Sequence, residues 1–438
     1  MQCSPAREDT TAFLSDAVLA APAPGGGHVS KMSKTWIEKG FVLAVAAAAL
    51  IVTALLGLWA YVASTATPLH PRAQDVPAVT HALPPPAWAD AVARGRQVVR
   101  AALSEQNLPG LSVALGVDGD LVWAEGFGWA DLEQRVPVSP DTQFRIGTAS
   151  TVLTSAAVGL LLEQGRLALD DEIQTHVPAF PRKPWPVTLR QLLGHVAGVG
   201  TDGGDEGPLL STHCERAVDA LPPFAEQSLR FEPGTQYRPS SYGWILVSAA
   251  IEAAANEPFL RFMRKQIFEP LGMDGTRADS LTESLPDRAT PYFPRFAADP
   301  RYGPDLMREI DYSCYAGASA FLSTPSDLVR FGMAVNRGRL LRPATVQLFQ
   351  TSQHLPSGQE TGYGLGWDFE DVTLAGRPAR LAGHDGEALG GMVASLMTFR
   401  EHGLVVSVAS NISYADTFAV ALQIAQAFAD PARNPARQ

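Results

Sequence analysis

Residues 111–129, LSVALGVDGDLVWAEGFGW, are the stretch that decides the fold. Two β-type runs, Leu111–Val117 and Leu121–Trp129, flank Asp118-Gly119-Asp120. Asp-Gly between two apolar runs is a strong local turn signal, because both residues tolerate a positive φ. The segment therefore predicts an antiparallel hairpin.

Helical stretches and a second strand pair surround this hairpin. A helix over Trp88–Glu105 precedes it, and strands over Met392–Phe399 and Leu404–Ser410 lead into a helix over Thr417–Ala429. Further apolar stretches at helical spacing lie between them: Ser150–Gln164, Leu189–Leu193, Gly243–Ala255, Leu260–Phe268 and Pro325–Val335. With elements of the sheet at both ends, the pattern predicts one α/β (α+β) unit, an antiparallel sheet flanked by helices beside a helical lobe.

Composition excludes several classes of protein. The chain has 438 residues, of which 46% are hydrophobic and 18% charged, so it is neither disordered throughout nor a small disulfide-stapled domain. Its net charge is −11, which argues against nucleic acid as a partner. The nine histidines include no metal-binding spacing, so we expect no metal and no cofactor.

Phe41–Ala63 is an uncharged apolar run of 23 residues, long enough to cross a bilayer as a helix. A buried core helix and a cleavable signal peptide are the alternatives, and the small residues 63–66 leave cleavage open. Lys31, Lys34 and Lys39 precede the run, which predicts a cytoplasmic N-terminus and an extracytoplasmic main domain, periplasmic if the cell is bacterial.

The predicted organisation has five parts. They are a tail without a fold (1–40), the membrane helix (41–63), a Pro-rich semi-rigid linker (64–87), the main domain (88–430) and a short tail (431–438). We interpret Cys214 and Cys314 as small buried apolar residues, with one disulfide as the alternative.

A series of short motifs follows the hairpin in a fixed order. They are PDTQFRIG (140–147), GRLALDD (165–171), LLGH (192–195), FEPGT (231–235), PLGM (270–273), LSTPSDL (322–328), YGLGW (363–367) and GHDG (383–386). Together, from about Trp88 to Ala429, they resemble the serine β-lactamase and penicillin-binding-protein-like hydrolases. The resemblance implies that family's sheet with flanking helices and a helical lobe.

The resemblance also implies an S-x-x-K motif at a helix start, where the serine attacks a carbonyl and the lysine assists removal of its proton. Here Thr148 holds the serine position and Thr151 the lysine position. Beyond the membrane helix the chain has only Lys183 and Lys265, and both are expected at the periphery.

The family's second and third motifs are also altered. Its tyrosine corresponds to Pro239, although Ser241 keeps a hydroxyl in that motif. The third motif survives as His384-Asp385-Gly386, where the histidine either serves the chemistry or belongs to a glycine-rich turn. The resemblance further suggests that four residues line the binding cleft: Ser150, Tyr242, Asp385 and Gly386.

Two functions follow. The first is a membrane-anchored, catalytically impaired homologue that binds a small molecule, a peptide or a protein in its cleft. The alternative is an active esterase, peptidase or amidase with Thr148 as nucleophile and His384 as base.

Overall fold

A computed structural model describes residues 32–201, 208–281, 285–388 and 390–429. Most of the expected N-terminal tail and all of the C-terminal tail lie outside these residues. The chain divides into two compact units, Met1–Tyr61 and Val62–Gln438.

One long apolar helix, α1, covers Met32–Thr65 and includes the predicted run 41–63. Its segment Lys39–Thr65 has 27 residues and a mean hydropathy of 2.7 over its most apolar window, which makes it long and apolar enough to cross a membrane. It is the one such helix among the described residues.

The second unit contains the remaining helices and all the strands that the structure describes. The helices are α2 Ala89–Glu105, α3 Ser150–Glu163, α4 Leu189–Leu193, α5 Pro222–Ala225, α6 Ser241–Ala255, α7 Phe259–Met263, α8 Pro325–Asn336, α9 Pro343–Phe349 and α10 Thr417–Ala429. The strands are β1 Ala78–Val79, β2 Gly110–Val117, β3 Asp120–Asp131, β4 Val136–Pro137, β5 Phe144–Arg145, β6 Arg277–Ala278, β7 Tyr292–Pro294, β8 Pro304–Leu306, β9 Phe321–Ser323, β10 Asp368–Leu374, β11 Arg377–Ala388, β12 Met392–Phe399 and β13 Leu404–Ser410.

The main sheet confirms the predicted fold. Its strands follow the order β1-β3-β2-β13-β12-β11-β10, and its neighbours pair antiparallel. The β2–β3 turn holds Asp118 at φ 49° and Gly119 at φ 98°, the positive values that the Asp-Gly signal predicts. Because β2 pairs with β13, the two ends of the domain meet at the centre of the sheet.

Helices cover both faces of this sheet. An apolar core that includes residues of α2 and α10 lies on one face, and the core on the other face includes residues of α8, α3 and the helical lobe around α6. Strands β2, β12 and β13 are therefore buried along their whole length, which explains why their sequences are continuously apolar.

Residues 69–79, here called the strap, were expected to form part of a solvated spacer, but they pack on the domain. The backbone N–H of Leu69 donates to Asn107 Oδ1 at 2.7 Å, and Arg100 donates to backbone carbonyls of the strap. Val76 is buried, and β1 adds to the edge of the sheet beside β3. This part of the Pro-rich segment is thus packed on the domain and is not a free spacer.

Cys214 and Cys314 are joined, which corrects their interpretation as unpaired apolar residues. Cys214 and Cys314 form a disulfide with a Cα–Cα distance of 4.8 Å. The bridge ties the segment before α5 to the turn that leads into β9, across 100 residues of sequence.

Candidate active site

Thr148 lies in a tight turn at the start of α3. Gly147 takes φ 51°, which a glycine adopts without strain, and the turn Gly147–Ala149 runs directly into the helix. The Thr148 hydroxyl donates to the backbone carbonyl of Asp385 on β11 at 3.3 Å. This places the expected nucleophile position beside the third motif, with its proton directed to a carbonyl oxygen.

Thr151, one turn later, is buried and supplies a hydroxyl where the family has an amine. Its Oγ1 donates to the carbonyl of Thr148 at 2.9 Å, a bond inside its own helix. Lys183 donates to the carbonyl of Gln227 at 2.8 Å, and Lys265 is exposed on the turn after α7. Neither lysine therefore replaces the missing amine.

The second motif forms the start of α6. Ser240 caps this helix, since its hydroxyl accepts from the N–H of Gly243 at 3.0 Å and donates to Gly200 O at 2.6 Å. Pro239, exposed just before the cap, has no ionisable group, and Ser241 is the first residue of the helix.

Strand β11 brings the third motif against the turn that carries Thr148. Strand β10 pairs with β11 as far as Gly383, and the following residues run beside this turn. A Cβ at Gly386 would lie 2.0 Å from Ile146 O and 2.7 Å from Ala149 N, so only glycine permits this approach.

Three of the proposed cleft residues have side chains that point elsewhere. Ser150 and Tyr242 are buried, and the ring of Tyr242 stacks on Phe224 at 4.2 Å between centroids, so both belong to the core and not to a cleft. The Asp385 carboxylate accepts from Ser395, whose hydroxyl also lies 2.7 Å from Thr417 Oγ1 on α10. Asp385 therefore offers the site its backbone carbonyl.

A cluster of four rings, His195, Tyr237, Tyr363 and His384, lies beside Thr151. The ring centroids of His195 and Tyr363 are 4.8 Å apart, those of Tyr237 and Tyr363 5.8 Å, and those of Tyr363 and His384 5.9 Å. We call this group the ring cluster.

His384 connects the ring cluster to the carbonyl that Thr148 contacts. Its Nδ1 lies 3.1 Å from Asp385 O, and a carbonyl can only accept, so Nδ1 carries a proton. Its Nε2 then faces the Tyr363 hydroxyl at 3.4 Å and Asp368 Oδ2 at 3.7 Å.

Burial controls protonation within the ring cluster. It raises the pKa of Tyr363 and of Tyr237, and the negative charge of Asp368 raises both further, so both phenols keep their protons at neutral pH. Burial, with a smaller contribution from the charge of His384, lowers the pKa of His195 to about 3. The pKa of Asp368 is raised by burial, which the charge of His384 opposes.

Sequence reasoning missed the ring cluster as a unit. His195 and Tyr363 appeared only within short motifs, and Tyr237 lies outside all of them. Nothing in the spacing of residues 195, 237, 363 and 384 indicates that they meet. Within the described parts of the chain, no three His, Cys, Asp or Glu side chains gather as metal ligands.

Comparisons with known proteins bear on the family and on the fold. The family model described as Beta-lactamase matches residues 96–429. The mouse mitochondrial serine beta-lactamase-like protein LACTB is 26% identical over 84% of this chain and 86% of its own length. Penicillin-binding protein 4* of Bacillus subtilis is 27% identical over 63% of each chain.

Among solved structures, the octameric penicillin-binding protein homologue from Pyrococcus abyssi superimposes with a TM-score of 0.64 at 23% identity, covering 77% of each chain. At this identity the likeness concerns the fold alone.

Proposed function

This chain belongs to the beta-lactamase family, and from that premise we propose that it is a membrane-anchored, extracytoplasmic member whose cleft binds a ligand or partner without appreciable hydrolysis. The anchor is α1, on the strength of its length and hydropathy. The lysines that precede it in the sequence support a cytoplasmic N-terminus.

The observation that carries the proposal is the hydrogen bonding of Thr148 and Thr151. A nucleophilic hydroxyl must pass its proton to a base, but Thr148 directs its hydroxyl to a carbonyl, and Thr151 offers no amine. In serine hydrolases, removing one member of a catalytic unit costs on the order of 10⁴ to 10⁶ in kcat. Loss of the amine and of the phenol at Pro239 is therefore expected to remove useful turnover.

The ring cluster does not supply a substitute base. Tyr363 and Tyr237 hold their protons because burial raises the pKa of each phenol. The two ring nitrogens of His195 face N–H groups of the core, the backbone of Ser240 at 3.1 Å and the Trp244 indole at 3.3 Å, and not the Thr148 hydroxyl, which donates to Asp385 O.

The alternative, hydrolysis with Thr148 as nucleophile and His384 as base, has one observation in its favour. The Thr148 hydroxyl and His384 Nδ1 both lie within hydrogen-bond distance of the same carbonyl, that of Asp385. However, Nδ1 already carries a proton, and Nε2 faces Tyr363 and Asp368 instead of Thr148. A rotation of the imidazole is needed before it can accept a proton from Thr148.

Turnover assays on the purified chain distinguish these two functions. Chromogenic β-lactam, short-chain ester and D-amino acid anilide substrates are given to the wild type, Thr148→Ala and Thr148→Ser. We expect all three proteins to hydrolyse each substrate at the same background rate. A rate that disappears in Thr148→Ala and persists in Thr148→Ser would establish the threonine hydrolase instead.

A further inference from the structure

Within the second unit, Thr65 at the end of α1 is hydrogen-bonded to Arg295. Arg295 donates to Thr65, the last residue of α1, through Nη2 to Oγ1 at 2.9 Å and through Nη1 to the backbone carbonyl at 3.3 Å. Only residues 66–68 separate Thr65 from the strap, a reach of about 10 Å when fully extended. The surface around Arg295 therefore lies where the chain leaves the helix.

The aromatic residues near the end of α1 indicate the depth of that point. Trp59 and Tyr61 are exposed, and such residues are enriched where a membrane helix meets the lipid headgroups. Thr65 lies four residues after Tyr61, or about 6 Å along the helix. The headgroup layer is about 5–7 Å thick on each side of the hydrocarbon core, so Thr65 falls within it.

The surface beside Thr65 carries groups suited to that layer. Phe293 on β7 and Arg295 share one face of the hairpin, because alternate residues of a strand point the same way and Arg295 N still pairs with Gly303 O. The Phe293 ring lies 5.6 Å from the ring of Tyr414, which is 40% exposed. No described carboxylate pairs with Arg295.

We propose that this face, defined by Phe293, Arg295 and Tyr414, rests on the phospholipid headgroups of the membrane that α1 spans. Arg295 is then placed to bind lipid phosphate, and the two aromatic rings lie at the boundary between headgroups and acyl chains. The inference rests on the proposed anchor but is independent of whether the cleft is catalytic.

Fluorescence quenching in vesicles tests this contact. The full chain, with Cys3→Ser and the Cys214–Cys314 disulfide intact, receives Tyr414→Cys or the control Leu348→Cys, whose native side chain is 38% exposed on α9. Each new cysteine carries a fluorophore. The protein is reconstituted in phosphatidylcholine and phosphatidylglycerol vesicles that contain a headgroup-spin-labelled lipid, and flotation of the vesicles is checked in parallel.

We expect quenching several-fold stronger at 414 than at 348. Equal quenching in a chain that floats with the vesicles would overturn the inference while the anchor stands. Failure to float would overturn the anchor and the inference together. Disulfide cross-linking between copies of the unlabelled Tyr414→Cys variant, without quenching by the lipid in the labelled protein, would identify the face as a dimer contact. That result would overturn the inference as well. If Tyr414→Cys fails to fold, Phe293→Cys reports on the same face.

Discussion

Gly386 shows how little space separates β11 from the turn that carries Thr148. A methyl group at this position would meet the backbone of that turn, at Ile146 O and Ala149 N, so the strand or the turn would have to shift. The glycine of the third motif is thus required by packing, whatever the chemistry of the cleft.

Gly386→Ala is therefore expected to lower the free energy of unfolding by about 1–3 kcal/mol, the usual cost of overpacking. The matched control is Gly243→Ala in α6, where the nearest atom to the added Cβ is 3.6 Å away. Alanine favours a helix interior, so this control should be neutral or stabilising. Urea denaturation measures both, and equal effects would contradict the packing argument.

His195 makes the stability of the domain depend on pH. Its pKa is lowered from 6.5 to about 3 in the folded protein, so on acidification the unfolded chain binds a proton that the folded chain does not. Its contribution is complete above pH 6.5 and is lost as the pH falls, by about 1.4 kcal/mol for each pH unit.

His195→Asn should flatten this dependence. Asparagine tolerates the left-handed backbone that His195 adopts at φ 58°, so the variant keeps the local conformation. Between pH 6 and pH 5, unfolding experiments should show the wild type losing about 1.4 kcal/mol more than the variant. Parallel pH profiles would show that the lowered pKa does not exist.

The strap is an element whose packing differs from what its composition suggests. Proline-rich composition favours an extended, solvated linker, but here buried Val76 and the pairing of β1 with β3 hold it on the domain. Trypsin should therefore cleave slowly after Arg72 in the wild type.

Val76→Asp should accelerate that cleavage several-fold, because a carboxylate in an apolar site releases the strap. Ala78→Asp is the control, since Ala78 is exposed on β1. Mass spectrometry of the fragments gives the rates. Equal rates in the wild type and Val76→Asp would mean that the strap does not pack as described.

The disulfide closes a long loop within the helical lobe. For a bridge that spans 100 residues, the constraint on the unfolded chain corresponds to about 2–5 kcal/mol. The double variant Cys214→Ala, Cys314→Ala should lose this amount in urea denaturation. Reductant should produce the same loss in the wild type and none in the double variant; insensitivity of the wild type would show that the bridge does not form.

At the scale of the whole molecule, local sequence patterns predicted the fold, but contacts between residues distant in sequence were not predicted. The Asp118-Gly119 turn and the apolar runs of β12 and β13 are encoded within a few residues, so the sheet could be derived. The strap and the Cys214–Cys314 bridge depend on partners distant in sequence, and both were interpreted wrongly.

The candidate site was likewise predicted only where the information is local in sequence. The motif order located Thr148 and the strand that contains Gly386, and the structure brings these together. The order of the motifs could not reveal that Tyr363, His195 and His384 form one cluster. Nor could it reveal that Ser150 and Tyr242 are buried. Their roles follow from which elements pack together, and spacing along the chain does not carry that information.

The most direct test of the central claim, a cleft without a working nucleophile, is the intact mass of the protein after exposure to a fluorophosphonate probe and to a fluorescent penicillin. We expect no adduct on the wild type, and labelling of the variant that combines Thr148→Ser, Thr151→Lys and Pro239→Tyr. A wild-type adduct that is absent from Thr148→Ala would contradict the account and establish Thr148 as an active nucleophile.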